Sequence, residues 1–442
     1  MNLKRRLTLL DATLLIIGNV VGAGIFTTSG FLASELPQPL FFIGIWIIGG
    51  LLTLCGALTY AEMAGMFPHS GGDYQFLKAA YGPWAGFLLG WLSFWIINPG
   101  SVAALSIALV SYMKGFFSLG SIFSEKLVAV SIILFLSFVN YRGVRLSGTT
   151  QNIFTLGNLV IVSILIAGGL FISQNGNWQH FTIASSESVP LSKLFGPAMI
   201  AVIFTYSGWF VTAYIGGEIK RPERNLPLSL LLGTSIVTII YTLINVTYLY
   251  GLPLSKLKDV VNVAQVTAET LFNRTFTQVV SFSIVLAIAS SINATILSGA
   301  RIYYAMAVDN IFWTPLKRLH PLYNTPYISI VSQTILACLF VMLGTFDQLL
   351  SYVVFVMILS SIATGVAHFA LRRRRPDLTR PYRTWGYPVV PLLFISFYSW
   401  IAIQIAYARP STSVLGILMT LSGLPFYLVW CRLKRLEKGI EK

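Results

Sequence analysis

Apolar residues gather into twelve runs, at about 9–34, 40–66, 83–112, 126–140, 150–173, 195–216, 228–251, 276–305, 327–345, 348–371, 388–408 and 412–431. A helix needs roughly 17–25 mostly apolar residues to cross a bilayer. All but the short fourth run reach that length, so the pattern predicts an all-α integral membrane protein with 12 transmembrane helices. The longest polar connections, about 174–193 and 252–275, are too short to fold alone. Between the second and third runs the segment PHSGGDYQFLKAAYGPWAG (68–86) differs, with several glycines and charges. Within it, DYQFLKAAY has the length and spacing of a short amphipathic helix on the cytoplasmic face.

Two runs are interrupted at their centres. The first contains Gly22-Ala23-Gly24, and the sixth, FGPAMIAVIFTYSGWFVTAYIGGE, contains Ser207-Gly208. Each glycine inside a helix costs about 1 kcal/mol relative to alanine, so these positions need a reason. Taken singly, either is also readable as a small-residue packing face. The two lie five spans apart and so enter the membrane from opposite sides. Paired interrupted spans at matching places point to an inverted-repeat transporter with a midplane site. An unwound turn at Gly22-Ala23-Gly24 exposes N–H groups that favour a carboxylate. The carbonyls on its other side favour an ammonium. An α-amino acid carries both groups at a fixed separation, and glycine lets ligand atoms approach the backbone closely.

Composition supports the membrane reading. Of 442 residues, 55% are hydrophobic and 10% charged, and the mean hydropathy is +0.75. The formal charge of +15 would suit a nucleic-acid binder, but its distribution reads as topology. With the N-terminus inside, Lys114, Lys126, Lys193, Lys256, Lys258, Arg274 and Arg409 fall outside, and the other 23 of 30 basic residues fall inside. The positive-inside rule then places both termini in the cytoplasm. The first run is too long for a cleaved signal core and lacks a small-residue cleavage site. Cys55, Cys338 and Cys431 lie within predicted spans, so free thiols are expected. The four histidines are scattered, and no metal-ligand spacing or nucleotide motif appears, so no cofactor is expected.

At these motifs the chain resembles the amino acid–polyamine–organocation (APC) superfamily, and in particular its L-type amino acid transporter branch. GNVVGAGIF (18–26) resembles the family's first-helix signature, and FTYSGWFVTAYIGGEIKRPERNLP (204–227) its sixth helix and following loop. SINATILSGARIYYAMAVDN (291–310) is similar to the eighth helix, and RRRRPDLTRPYRTWGYPVVP (372–391) to the loop before the eleventh. The resemblance implies a LeuT-type fold, a 5+5 inverted repeat with two additional C-terminal helices and helices one and six discontinuous. That predicts one transporter domain over 1–435, with repeats at about 9–173 and 195–371, helices eleven and twelve at about 388–431, and a short tail at 436–442. It further implies that Val20, Gly22, Ala23, Gly24 and Ile25 hold the substrate's α-carboxylate and part of its ammonium. Phe204 and Ser207 match positions that offer carbonyls to the ammonium, with the Phe204 ring as a gate. Trp209 matches an aromatic that lines the side-chain pocket; a lipid-facing tryptophan is the plainer alternative.

Two departures from the family pattern carry information. Asn158 stands where many bacterial relatives and several L-type transporters have a lysine whose ammonium occupies the place of a sodium ion. A neutral Asn158 removes that route to proton coupling and favours sodium-free exchange or facilitated diffusion. Ser290, Ser291 and Asn293 are the polar groups expected to meet Asn158, in a plain interhelical hydrogen bond or as oxygens around a sodium ion. The loop KGFFSLGSIFSEK (114–126) has no cysteine, whereas heteromeric animal members use one there for a glycoprotein subunit. No disulfide-linked ancillary subunit is therefore expected, and the chain reads as a monomer or homodimer in a bacterial inner membrane.

Charges inside a membrane are rare and mark candidate sites. Glu62 and Glu218, at the inner ends of the second and sixth spans, are expected to pair with cytoplasmic arginines in an inner gate, or else to snorkel to the interface. Asp11 is expected to cap the first helix or face the cytoplasm, and RRRR (372–375) to anchor at anionic headgroups. No acid or base is expected at the midplane pocket, which favours neutral substrates of small to medium size. Cationic ones stay open, because Trp209 can hold a cation on its π-face. The leading reading is secondary transport of L-amino acids by alternating access. A polyamine carrier would need an acid beside the site, and a nutrient sensor a longer cytoplasmic tail. An enzyme would need a convergent nucleophile or metal set.

Overall fold

A computed structural model describes residues 3–36, 38–114, 121–182, 191–343 and 346–440, with the side chains of 191–194, 346–353, 412 and 433–440 left aside. Residues 115–120 of the cysteine-free 114–126 loop and the side chains of the tail lie outside the described residues. In chain order the helices are α1 (Leu9–Val20), α2 (Gly24–Glu35), α3 (Pro39–Met66), α4 (Asp73–Tyr81), α5 (Pro83–Leu92), α6 (Asn98–Met113), α7 (Ile122–Tyr141), α8 (Val144–Phe171) and α9 (Leu191–Thr205). They continue as α10 (Val211–Tyr214), α11 (Pro222–Gly251), α12 (Leu254–Leu257), α13 (Val263–Leu271), α14 (Arg274–Val308), α15 (Tyr327–Leu343), α16 (Phe346–Arg374), α17 (Val389–Ala408) and α18 (Pro410–Ile440). Among the described residues the only β-pairing is two isolated bridges, Leu7 with Ile219 and Ser70 with Ile215.

Local chemistry sets several of these boundaries. Thr8 caps α1 by accepting the Asp11 N–H, and the Asp11 carboxylate accepts the Thr8 N–H at 2.7 Å, so Asp11 is a capping-box residue. Ser121 and Ser124 cap α7 in the same way, which starts that helix before the apolar run and lengthens the short fourth span to 20 residues. DYQFLKAAY forms α4, with Tyr74, Phe76 and Leu77 buried.

Among the described residues nine helices are long and apolar enough to cross a bilayer, and the bent pair α1–α2 makes ten. The sixth and ninth runs give shorter apolar helices, Phe195–Thr205 and Tyr327–Leu343, so the count by length stops short of the twelve expected from the apolar runs. For α9 the cause is visible: the helix ends at Thr205, where the second interruption begins.

α14 sits at the centre and is buried along most of its length. Its apolar residues lie on every side rather than in one stripe, as burial all round requires. It packs on α6, α7, α8 and α1, while α3 runs along α11 and α17 and α18 lie at the periphery. Outward-facing Phe135, Ile153, Phe171, Leu418 and Leu421 are exposed, as lipid-facing side chains should be. The three cysteines are free.

Candidate functional site

Both interruptions open onto one cavity of about 330 Å³. α1 and α2 meet at 41° across residues 21–23. α9 and α10 are separated by a turn in which Gly208 takes φ +95°, a left-handed conformation that favours glycine. A side chain there would also come within 2.5 Å of Asn19 Nδ2. Instead Asn19 Nδ2 donates to Gly208 O at 2.9 Å and fastens one break to the other.

The two ends of the first break differ in what remains free. Ser291 Oγ lies 3.1 Å from both Gly18 O and Asn19 O. Tyr241 Oη donates to Val20 O at 2.7 Å and lies 3.2 Å from Thr205 O, the last carbonyl of α9. Gly22 N–H also turns back to Val20 O. The carbonyl end is thus largely occupied by protein donors. The N-terminus of α2 has no side-chain cap, so its first N–H groups stay available to an anion.

Val20, Gly22, Ala23, Gly24, Phe204 and Ser207 all line the cavity. Phe204 O already accepts the Ser207 N–H at 3.0 Å. Ile25 does not line it; its side chain is fully buried in the core. Trp209 is also off the main cavity. Its ring packs at 4.7 Å from Tyr60 and against Phe210 and Phe394, beside a small void of about 30 Å³ that shares Phe204, Ser207 and Phe210 with the cavity. In the turn after Gly208 the Trp209 ring packs between α3 and α17. Part of the opposite wall comes from a π-helical turn, Ser93–Ile97, between α5 and α6. π-bulges of this kind recur at functional sites, and Tyr303 Oη and Asn98 Nδ2 satisfy its Ser93 carbonyl.

Asn158 does not meet Ser290, Ser291 or Asn293. Its Oδ1 accepts from Ser283 Oγ at 2.8 Å. The reason is register. α8 and α14 run antiparallel, so Asn158 faces Ser283, while Gln151, seven residues earlier, donates to Ser290 at 2.6 Å. Asn293 joins Gln151, Asn140 and Ser147 farther along, and Ser291 turns to α1. Seven residues is about two helical turns, which keeps these pairs on one face.

Glu218 and Arg301 form a bidentate pair at 2.8 and 3.0 Å with both side chains buried. Glu62 accepts from Arg372 Nε at 2.9 Å and from the Thr384 N–H at 2.7 Å, with Arg380 at 3.3 Å and His368 at 3.2 Å. Neither glutamate lines the cavity.

One cavity residue contradicts the expectation of a pocket without acid. Asp73, the first residue of α4, lines the cavity and is 2% exposed. Its Oδ2 accepts the Tyr214 hydroxyl at 3.1 Å, while Oδ1 is buried without a hydrogen-bond partner. Burial pushes its pKa up to about 7, against the opposing pull of the Tyr214 and Tyr60 hydroxyls. Sequence reasoning placed this aspartate on an amphipathic surface helix; the glycine pair before it, in GGDY, was the available signal of a tight turn inward.

A family model described as amino acid permease matches residues 7–429. The chain belongs to the amino acid permease family. It is 33% identical over 428 residues to the serine/threonine exchanger SteT of Bacillus subtilis (strain 168), covering 96% of each chain. It is 30% identical over 444 residues to the human b(0,+)-type amino acid transporter 1, covering 98% of this chain and 89% of that one. Against the mouse Asc-type amino acid transporter 1 the identity is 27% over 438 residues, with 97% and 81% covered. The permease is a multi-pass membrane protein of the APC superfamily that transports amino acids, and it is not an enzyme.

Proposed function

We propose that this permease exchanges small neutral L-amino acids by alternating access without sodium. The observation that carries the reading is one cavity lined by both helix breaks, with an uncapped α2 N-terminus facing it. The α-carboxylate sits at the N–H groups of Ala23, Gly24 and Ile25, by backbone contact alone in the case of Ile25. The ammonium lies toward the carbonyls at Ser207 and the end of α1. Phe204, half-buried at the cavity wall, closes over the bound molecule. The serine/threonine exchanger among the relatives supports a small hydroxylated or aliphatic side chain.

Sodium independence is supported by Asn158, which is neutral and whose Oδ1 already accepts from Ser283 Oγ. Ser290 and Ser291 are likewise engaged with Gln151 and the end of α1. The reading extends to a LeuT-type 5+5 inverted repeat, twelve spans, cytoplasmic termini, a bacterial inner membrane and function without a disulfide-linked subunit. Uptake of labelled threonine into proteoliposomes tests it. Uptake only into vesicles preloaded with unlabelled amino acid, indifferent to sodium and to a pH gradient, is the expected result. Uptake into empty vesicles driven by either ion would overturn it.

A further inference from the structure

We infer that Asp73 forms a subsite for the positively charged side chain of a cationic amino acid at one end of the cavity. The inference rests on the cavity being the substrate path, and it widens the substrate class beyond neutral amino acids. Burying a carboxyl with an oxygen left unpartnered is costly, and here Oδ2 takes the Tyr214 hydroxyl while Oδ1 has no hydrogen-bond partner. Among the described residues no basic group pairs with it. Lys78, on the same helix, is held by Asp309 at 2.6 Å. Arg301 of α14 is taken by Glu218, and Arg372 of α16 by Glu62. The titratable groups that face Asp73 are the hydroxyls of Tyr60 on α3 and Tyr214 at the end of α10, neither of which supplies charge. The neighbouring rings of Phe210 and Tyr214, whose centroids are 5.7 Å apart and nearly perpendicular, border the same cavity. Aromatic faces beside a carboxylate suit a weakly hydrated organic cation, an alkylammonium or guanidinium, better than a hydrated metal ion. Ser298 and Ile302 of α14 line the same cavity and offer one hydroxyl and one apolar contact.

Displacement of bound labelled threonine by L-lysine and by L-norleucine tests the subsite on the purified full-length chain. Norleucine has lysine's carbon chain without the terminal ammonium, so the ratio of the two inhibition constants isolates the charge. Asp73→Asn is expected to weaken lysine relative to norleucine about tenfold or more, and Asp73→Glu to restore part of the difference. Lysine's apparent affinity for the wild type should also rise about tenfold from pH 6 to pH 8 as the carboxyl ionises, with norleucine unchanged. Labelled lysine is measured directly in parallel. A chain that binds lysine but not threonine therefore overturns the neutral-exchange reading and leaves the Asp73 site supported. An unchanged lysine-to-norleucine ratio in Asp73→Asn overturns the subsite, and so does a wild type that binds no lysine at either pH.

Discussion

Gly18 shows how closely the first span is seated. A Cβ there would overlap Thr155 Oγ1, Ser290 Oγ and Gln151 Nε2, so α1 lies directly on the polar seam between α8 and α14. Gly18→Ala should destabilise the protein by about 1–3 kcal/mol through overpacking. Adding Thr155→Ala and Ser290→Ala removes two of the three obstructing atoms and should recover at least half of the lost melting temperature in detergent. A Gly18→Ala protein that melts like the wild type would show that α1 is not seated there. Asp73 makes a pH-dependent prediction of known sign. Its carboxyl ionises near 3.8 in the unfolded chain and at about 7 in the fold. Between those values unfolding releases a proton, so the folded state loses relative stability as pH rises through the window. Above it the loss is complete, up to about 4 kcal/mol at 1.36 kcal/mol per unit. Asp73→Asn is free of this penalty. Its melting temperature should gain on the wild type from pH 5 to 7 and then level off, and a difference constant across that range would refute the burial argument.

At the scale of elements, the breaks, the amphipathic α4 and most helix boundaries were legible because they rest on local chemistry. Gly22-Ala23-Gly24 and Ser207-Gly208 announce weak helix, and Thr8 with Asp11 announces a helix start. What was not legible depends on how one helix turns against another. Asn158 could be placed on the face toward the eighth span, but not its partner, because a shift of one heptad exchanges Ser290 for Ser283. Asp73 looked exposed because Tyr214, which covers it, lies 141 residues farther along the chain. Trp209 does not line the main cavity, but it borders a small void that shares Phe204, Ser207 and Phe210 with it, and which ring contacts hold it there could not be read from its place beside the break. The Glu218–Arg301 pair belongs to this scale as well, since it ties the turn after α10 to the central helix α14. Leaving one member of a buried pair alone costs about 3–5 kcal/mol, whereas replacing both by apolar residues is often neutral or favourable. Glu218→Gln should therefore lower the melting temperature steeply. The double variant Glu218→Leu/Arg301→Met should stand close to the wild type. If the double variant falls as far as the single one, the pair contributes net stability rather than mutual neutralisation.

Across the whole molecule, the two halves of the first span are tied to opposite ends. Below the break, the segment leading into α1 is bound to the end of the sixth. Arg6 and Leu7 donate their N–H groups to Glu218 O, and Lys220 N–H returns to Leu7 O at 2.8 Å. Above the break, Gly30 of α2 lies against the Val260 backbone and its carbonyl accepts the Asp259 N–H, while Ser34 bonds the Asp259 carboxylate at 2.8 Å. A hinge at residues 21–23 thus separates two bodies with different partners, the arrangement needed if one end is to open while the other stays closed. The same two ends differ in charge. Lys78, Arg301, Arg372, Arg374 and Arg380 gather near Glu218 and Glu62, with Arg375 paired to the exposed Asp377. The opposite end has fewer arginines: Lys114 pairs with Glu125 at 2.7 Å there, and Ser173 Oγ donates to Leu271 O. The positive-inside rule predicts that the basic end is cytoplasmic, and single cysteines test it. With Cys55, Cys338 and Cys431 replaced by serine, Asp377→Cys should react with a membrane-impermeant maleimide only in inside-out vesicles. Gln174→Cys, exposed beyond the far end of α8, should react only in right-side-out ones. The reverse pattern would invert the topology and place the Asp73 end of the cavity outside the cell; labelling of both from one face would break the two-ended architecture itself.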